Sequence, residues 1–366
     1  MSDQELSAEL FEEESRMNCA ESELKTCFID ELQLISGVTL RNVKIAFQTW
    51  GSFTGNNAIL VCHAISGDSN AAAWWQKIIG SGKAIDTDRF YVVCSNAIGG
   101  CSGSTGPSSL NDEGVQHGSS FPSITVEDMV VAQIHLSDFL GINQWLMVCG
   151  GSMGGMQAIE WARGYSARVR HCWVTASASA HTAMQIGFNE VARQAILRDE
   201  NFRGGDYYDF KAPKGGLAVG RMLGHLSYLS ESAFESKFAR NLQIENGVPD
   251  AGPIFLQNKQ FQIESYLNYQ GENFTARFDA NSFLVVSTAI DRYSCDSLEG
   301  SRSKFLFTSF TSDWLYPSHL SQKLHEMALS AGCESEWIDI DLPYGHDAFL
   351  LDTEFQGKAL RKLLSL

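Results

Sequence analysis

Trp145-Leu146-Met147-Val148-Cys149-Gly150-Gly151-Ser152-Met153-Gly154-Gly155 is the most informative stretch of this chain. Its first five residues form an unbroken apolar run, as in a strand covered on both faces, and Met156 to Ala162 then takes helical spacing. Between the two, Gly150-Gly151-Ser152-Met153-Gly154 matches Gly-x-Ser-x-Gly. In that pattern small flanking residues permit a sharp strand-to-helix turn that holds the serine exposed and strained, as a nucleophile must be. The pattern is weak alone, and the strand before it and helix after it supply the context it requires. A glycine-rich turn that only packs a strand against a helix is the plainer alternative. A phosphate-binding loop fits worse, because no Lys-Ser/Thr follows the glycines.

Outward from this turn the same grammar repeats. Ile59-Leu60-Val61-Cys62 and Tyr91-Val92-Val93-Cys94 are continuous and apolar, as central strands are, whereas Val43, Ile45, Phe47 and Thr49 alternate as in a half-exposed antiparallel strand. Thr125 can cap a helix with Asp128 at the third position, Met129, Leu136 and Leu140 form its inner stripe, and Gly141 stops it. After about Ser177 strand-like runs become rare. Met184, Phe188, Val191 and Ala195, then Phe234, Phe238 and Leu242, follow helical spacing. Strands return at Phe305-Leu306-Phe307 and Trp337-Ile338-Asp339-Ile340, around a helix carrying Leu320, Leu324 and Met327. The expectation is an α/β fold with a mainly parallel sheet covered by helices on both faces. Residues 28–176 and 293–366 would build this core, 177–292 a helical lid insertion, and 1–27 an acidic N-terminal tail.

Composition narrows the function classes. At 366 residues and 44% hydrophobic content, the chain can bury one large core plus an insertion, but hardly three domains. Acidic residues outnumber basic ones 43 to 27 with no dense Lys/Arg run, which argues against a nucleic-acid partner. The nine cysteines are scattered without a CxxC pair and mostly sit in apolar segments. They read as reduced, buried residues of a cytoplasmic protein, not as disulfides or zinc ligands, and no metal is expected. The tail, with Glu12-Glu13-Glu14, lacks the basic start and apolar stretch of a signal peptide. No apolar run approaches the ~20 residues of a membrane span.

An elbow serine needs a base and a carboxylate to orient that base, in the chain order Ser, Asp or Glu, His. His346 lies in Pro343-Tyr344-Gly345-His346-Asp347, just after the last strand, and Asp313 in Thr311-Ser312-Asp313-Trp314, just after the preceding one. His135 and His325 sit in helical patterns, where a solvated or packed histidine is the plain reading. His63 is the serious competitor, because it follows a core strand at the same end of the sheet. We read His63-Ala64-Ile65-Ser66-Gly67 instead as the loop whose Ile65 N–H faces the Met153 N–H across an oxyanion hole, an assignment that rests on position alone.

Longer stretches then make a specific resemblance. His63 to Asp68, Trp74-Trp75, Gly82 to Arg89, Gly99 to Ser109, Gly150 to Gln157, Phe188 to Val191, Gly215 to His225, Arg277 to Asn281 and Pro343 to Leu351 together resemble the homoserine O-acetyltransferases of the α/β-hydrolase superfamily. The resemblance covers nearly everything after about Phe28. It implies an α/β-hydrolase fold with Ser152 as nucleophile, His346 as general base and acid, and Asp313 as the orienting carboxylate. Arg221 would clamp the homoserine carboxylate and Asp347 would hold its ammonium. Without the resemblance, Arg221 would pass as a helix-surface residue and Asp347 as a loop or cap residue. Leu315 occupies the position where succinyl-using relatives place an arginine, so acetyl is the implied acyl group.

The implied reaction is ping-pong acetyl transfer from acetyl-CoA, a co-substrate and not a resident cofactor, to the hydroxyl of L-homoserine in methionine biosynthesis. A homodimer is implied as well, and the helical lid would exclude water. A succinyl or serine acyltransferase of the same family, a serine esterase, and a catalytically dead binding protein stay open. The intact set Ser152, Asp313 and His346 argues against the last.

Overall fold

The computed structural model describes residues 22–242, 261–352 and 354–364. Eight strands form one sheet in the order β1-β2-β4-β3-β5-β6-β7-β8. They are β1 (Lys25–Gln33), β2 (Thr39–Trp50), β3 (Ala58–Cys62), β4 (Tyr91–Ser95), β5 (Trp145–Gly151), β6 (Val169–Thr175), β7 (Lys304–Phe310) and β8 (Ser335–Ile340). The continuous apolar runs lie in the middle. β3 pairs in parallel with β4 on one side and β5 on the other, with Ile59 opposite both Val92 and Met147. β2 alone runs antiparallel, against β1 and β4. Its alternation holds at Val43 and Ile45, but Ala46 and Gln48 are buried as well as Phe47, because this half of the strand is covered on both faces.

Successive residues of the central strands feed opposite cores. Leu60, Cys62, Val93 and Val148 pack against α1 (Val126–Phe139), α2 (Met153–Gly164) and α8 (Ser318–Ser330). Ile59, Val61, Val92 and Met147 face the other side, with Trp75, Phe349 and α9 (Phe355–Leu363). Trp75 stacks on Trp173 at 4.8 Å and donates from Nε1 to the Phe349 carbonyl at 2.9 Å, which anchors the turn after His346 to the sheet. The cap at Thr125 forms as expected, with Asp128 completing the capping box, and Gly141 takes φ 69° just past the helix.

Two boundaries differ from expectation. β1 begins at Lys25, inside the stretch read as tail, and buries Cys27, Ile29 and Leu32. The acidic residues Glu12 to Glu14 lie outside the described residues. Between β6 and β7 come α3 (Ala183–Leu197), α4 (Lys214–Tyr228), α5 (Glu231–Lys237), α6 (Gln262–Arg277) and α7 (Ala280–Arg292). Of these helices, α7 packs Val286, Ala289 and Ile290 into the main core, so the core and the segment between β6 and β7 share it. On α3 the buried face is Gln185, Ala192 and Ile196, while Met184 and Val191 are exposed; the apolar stripe does not mark the inner face here. No helix among the described residues is long and apolar enough to cross a membrane.

Candidate active site

Ser152 sits where β5 turns into α2, at φ 55° and ψ −125°, a conformation L residues rarely adopt and one that costs about 1–3 kcal/mol. The surroundings hold it there. Its N–H donates to the Thr175 and Ala176 carbonyls, both at 3.2 Å, and its own carbonyl accepts from Ser177 Oγ at 2.7 Å. Gly154 is needed because a Cβ there would lie 1.9 Å from the Cys62 carbonyl, where β3 meets the start of α2. Gly151 is needed because a Cβ would meet the Phe349 ring at 2.6 Å. Phe349 in turn stands edge-on to the His346 ring at 5.3 Å, so this close packing also sets the distance between the turn and the histidine.

His346 and Asp313 are both buried, and His346 Nδ1 meets Asp313 Oδ2 at 2.8 Å. The other carboxylate oxygen accepts from the Leu315 N–H at 3.0 Å and the Tyr316 N–H at 2.8 Å. A carboxylate so placed accepts a hydrogen bond from the Nδ1–H of the imidazole, which keeps the proton on Nδ1 and leaves Nε2 as the proton acceptor. The Ser312 hydroxyl binds the two loops together by accepting from the Gly345 N–H at 2.9 Å.

His63 has no nitrogen to spare. Its Nδ1–H donates to the Ala64 carbonyl at 2.8 Å and its Nε2 accepts from the Ala97 N–H at 3.0 Å, while burial lowers its proton affinity. It braces the loop that carries Ile65. Of the other histidines weighed, His135 is exposed and His325 hydrogen-bonds Ser335 Oγ at 2.7 Å.

A cleft of roughly 680 Å³, open to solvent, is lined by Ser152, Ile65, Arg221, Leu315, Tyr316 and Phe274 among others. Met153 is the first residue of α2, where an N–H has no intrahelical partner. The Arg221 guanidinium lies over the rings of Phe274, at 4.8 Å, and Tyr228, at 5.7 Å, and its buried Nε has no hydrogen-bond partner among the described residues. A planar cation in the same cleft as the serine, in no ion pair among the described residues and with one N–H unused, is a ready carboxylate site. Asp347 does not line the cleft. It lies within electrostatic reach of His346 and Arg221, and desolvation pushes its carboxyl up to about 6.

Three residues at this site were not singled out from sequence as site residues. Tyr316 stacks on the His346 ring at 4.9 Å, and its hydroxyl is hydrogen-bonded to Ser152 and to His181 Nε2. His181 Nδ1 rests on Asp291. Tyr316 stands three residues after Asp313, close enough to have been noticed, whereas His181 and Asp291 come from opposite ends of the insertion and share no local signature.

A family model described as the alpha/beta hydrolase fold matches residues 57–353. A homoserine O-acetyltransferase of Solidesulfovibrio magneticus is 46% identical over 345 residues, covering 87% of this chain and 85% of that one. A homoserine O-succinyltransferase of Stutzerimonas stutzeri is 45% identical, covering 91% of this chain and 93% of that one. Among solved structures, esterase E22 aligns with a TM-score of 0.84 at 28% identity, covering 94% of this chain and 100% of that one. The strained serine turn, the buried carboxylate–histidine pair and these likenesses agree: the chain belongs to the α/β-hydrolase family and, within it, to the homoserine O-acyltransferases.

Proposed function

We propose that this protein transfers an acetyl group from acetyl-CoA to the hydroxyl of L-homoserine through an acyl-enzyme on Ser152. The observation that carries the reading is the buried Asp313–His346 pair at the end of the sheet where Ser152 is strained outward, in a cleft shared with Arg221, whose buried Nε has no partner among the described residues. His346 Nε2 takes the Ser152 proton as Oγ bonds to the thioester carbon, and the oxyanion lies between the Ile65 and Met153 N–H groups. The C–S bond then breaks and the thiolate of CoA takes the proton from His346. In the second half the homoserine O–H gives its proton to His346, its oxygen attacks the acyl carbon, and the proton returns to Ser152 Oγ as the C–Oγ bond breaks.

Arg221 binds the acceptor carboxylate bidentately and Asp347 its ammonium. Arg221→Gln is expected to lower homoserine kcat/KM by about 100-fold, the scale of a lost charge-assisted contact, while CoA release in a single turnover without acceptor stays near normal. Equal losses in both halves would point to a structural role instead. Because only ionised Asp347 can pair with an ammonium, homoserine kcat/KM should also fall as pH drops through about 6. The sign for stability is opposite. A carboxyl raised in the folded state disfavours folding at pH values above its folded pKa, and that cost disappears below the unfolded value near 3.9.

Relatives named for acetyl and for succinyl transfer match almost equally, so the acyl group is decided at the cleft. Among the described cleft-lining residues Arg221 is the one Lys or Arg, and Leu315 presents an apolar wall. A succinyl group would still be on Ser152 when homoserine arrives, and one guanidinium cannot pair both carboxylates. Burying the second without a partner costs several kcal/mol. We therefore expect acetyl-CoA to be preferred over succinyl-CoA by about 100-fold, or ~2.7 kcal/mol. A panel of acetyl-CoA and succinyl-CoA against homoserine and serine, read by thiol release, tests donor and acceptor together. Equal or faster turnover with succinyl-CoA would overturn the acetyl reading, and brisk thiol release without acceptor would favour hydrolysis.

Cytoplasmic residence and a homodimer belong to the same proposal. The absence of disulfides among the described cysteines supports the first, and the exposed apolar side chains Val191 on α3 and Val219 and Leu226 on α4 support the second.

A further inference from the structure

A second hydrogen-bonded chain ends on the same serine, and no step above uses it. Asp291 on α7 accepts from Asn189 Nδ2 at 2.7 Å, from Arg193 Nη1 at 2.6 Å and from His181 Nδ1 at 2.7 Å. His181 Nε2 meets the Tyr316 hydroxyl at 2.5 Å, and that hydroxyl also shares a side-chain hydrogen bond with Ser152. All three side chains are buried or nearly so. Counting protons gives the direction. With its Nδ1–H given to Asp291, neutral His181 offers only a bare Nε2, so Tyr316 donates its single proton there and accepts from Ser152. Turning the serine hydroxyl about its Cβ–Oγ bond hands the proton to His346.

The same tyrosine lies almost flat on the histidine. Its ring and the His346 imidazole are 4.9 Å apart at 19°, and its backbone N–H donates to Asp313 at 2.8 Å. A ring face gains little from a neutral imidazole and considerably more from an imidazolium, because the π face attracts a cation. His346 becomes an imidazolium as it takes the Ser152 proton, so this contact strengthens on the way to the transition state. The hydrogen bond from the phenol O–H to His181 makes the Tyr316 oxygen, and hence its ring, richer in electrons for that role.

We infer that Tyr316 is a further catalytic residue, its ring face stabilising protonated His346 and its hydroxyl holding Ser152, and that His181 and Asp291 are positioning residues that pin it from the helical insertion. The inference rests on the acyl-transfer reading. It also gives the insertion a second task beyond covering the cleft, since Asp291 on α7 and His181 just before α3 are tied to the serine through this tyrosine.

Single-turnover CoA release from acetyl-CoA tests it in the full chain. Tyr316→Phe and Asp291→Asn should each slow acylation about tenfold with donor KM within about twofold, and Tyr316→Leu, which removes the ring, about 100-fold. The double variant Asp291→Asn with Tyr316→Phe should be no slower than either single one, because the chain is already cut. His181→Asn cuts it from the other side and serves if Asp291→Asn does not fold. Unimpaired acylation in Tyr316→Phe and Tyr316→Leu, losses that multiply in the double variant, or losses confined to KM would overturn the inference. No thiol release from the unsubstituted enzyme would instead contradict the acyl-transfer reading itself.

Discussion

Ser152→Ala is expected to lower homoserine-dependent thiol release by about a million-fold, the scale seen when a serine nucleophile is removed from a hydrogen-bonded triad. The loss should leave the fold in place. What holds the turn is backbone: the N–H of residue 152 on the Thr175 and Ala176 carbonyls, its carbonyl on Ser177 Oγ, and the close approach of Gly154 to Cys62. None of these uses the Ser152 hydroxyl. Alanine also has the same difficulty with φ 55° as serine, so no new backbone strain enters. The side-chain contact that disappears is the hydrogen bond to Tyr316, worth roughly 1 kcal/mol of stability. Unfolding of the variant at a much lower temperature would show that the serine is structural and would remove this explanation of lost turnover.

Asp313→Asn should cost about 10⁴-fold in kcat, a loss set by the tautomer of the histidine. In the native site one oxygen of Asp313 accepts two backbone N–H groups, from Leu315 and Tyr316, and the other faces His346 Nδ1 at 2.8 Å. An asparagine keeps its oxygen on the two backbone donors, which leaves its NH₂ toward His346. Nδ1 must then accept, the ring proton moves to Nε2, and Nε2 can no longer take a proton from Ser152. Circular dichroism and the melting temperature should stay near those of the parent, since the substitution is isosteric. Retention of more than a tenth of the parent kcat would mean that His346 is oriented by something other than Asp313.

Much of this could be read in the chain before any coordinates, for reasons that differ between residues. The strand from Trp145 and the turn at Ser152 were legible because a buried parallel strand must be apolar throughout and a tight turn must be built of small residues, both local demands. Asp313 and His346 were legible because each follows a strand and their order is constrained. β1 was missed because its period-two pattern, Cys27, Ile29 and then Leu32, is broken by one place and stands beside an acidic stretch. The apolar spacing on α3 did not reveal its inner face, because Gln185 and Asn189 line the cleft while Val191 is left outside. Asp291 and His181 were illegible for a simpler reason: they lie 110 residues apart and meet only because α7 folds back onto the core.

The central claim is that a covalent acyl group resides on Ser152 between two half-reactions. Intact-protein mass spectrometry after acetyl-CoA is added without acceptor, followed by a homoserine chase, tests it most directly. A single acetyl adduct, placed on Ser152 by peptide mapping, is expected, and it should disappear on the chase with O-acetylhomoserine appearing in equal amount. An unmodified enzyme that nonetheless makes O-acetylhomoserine, or an adduct that persists in Ser152→Ala, would contradict it.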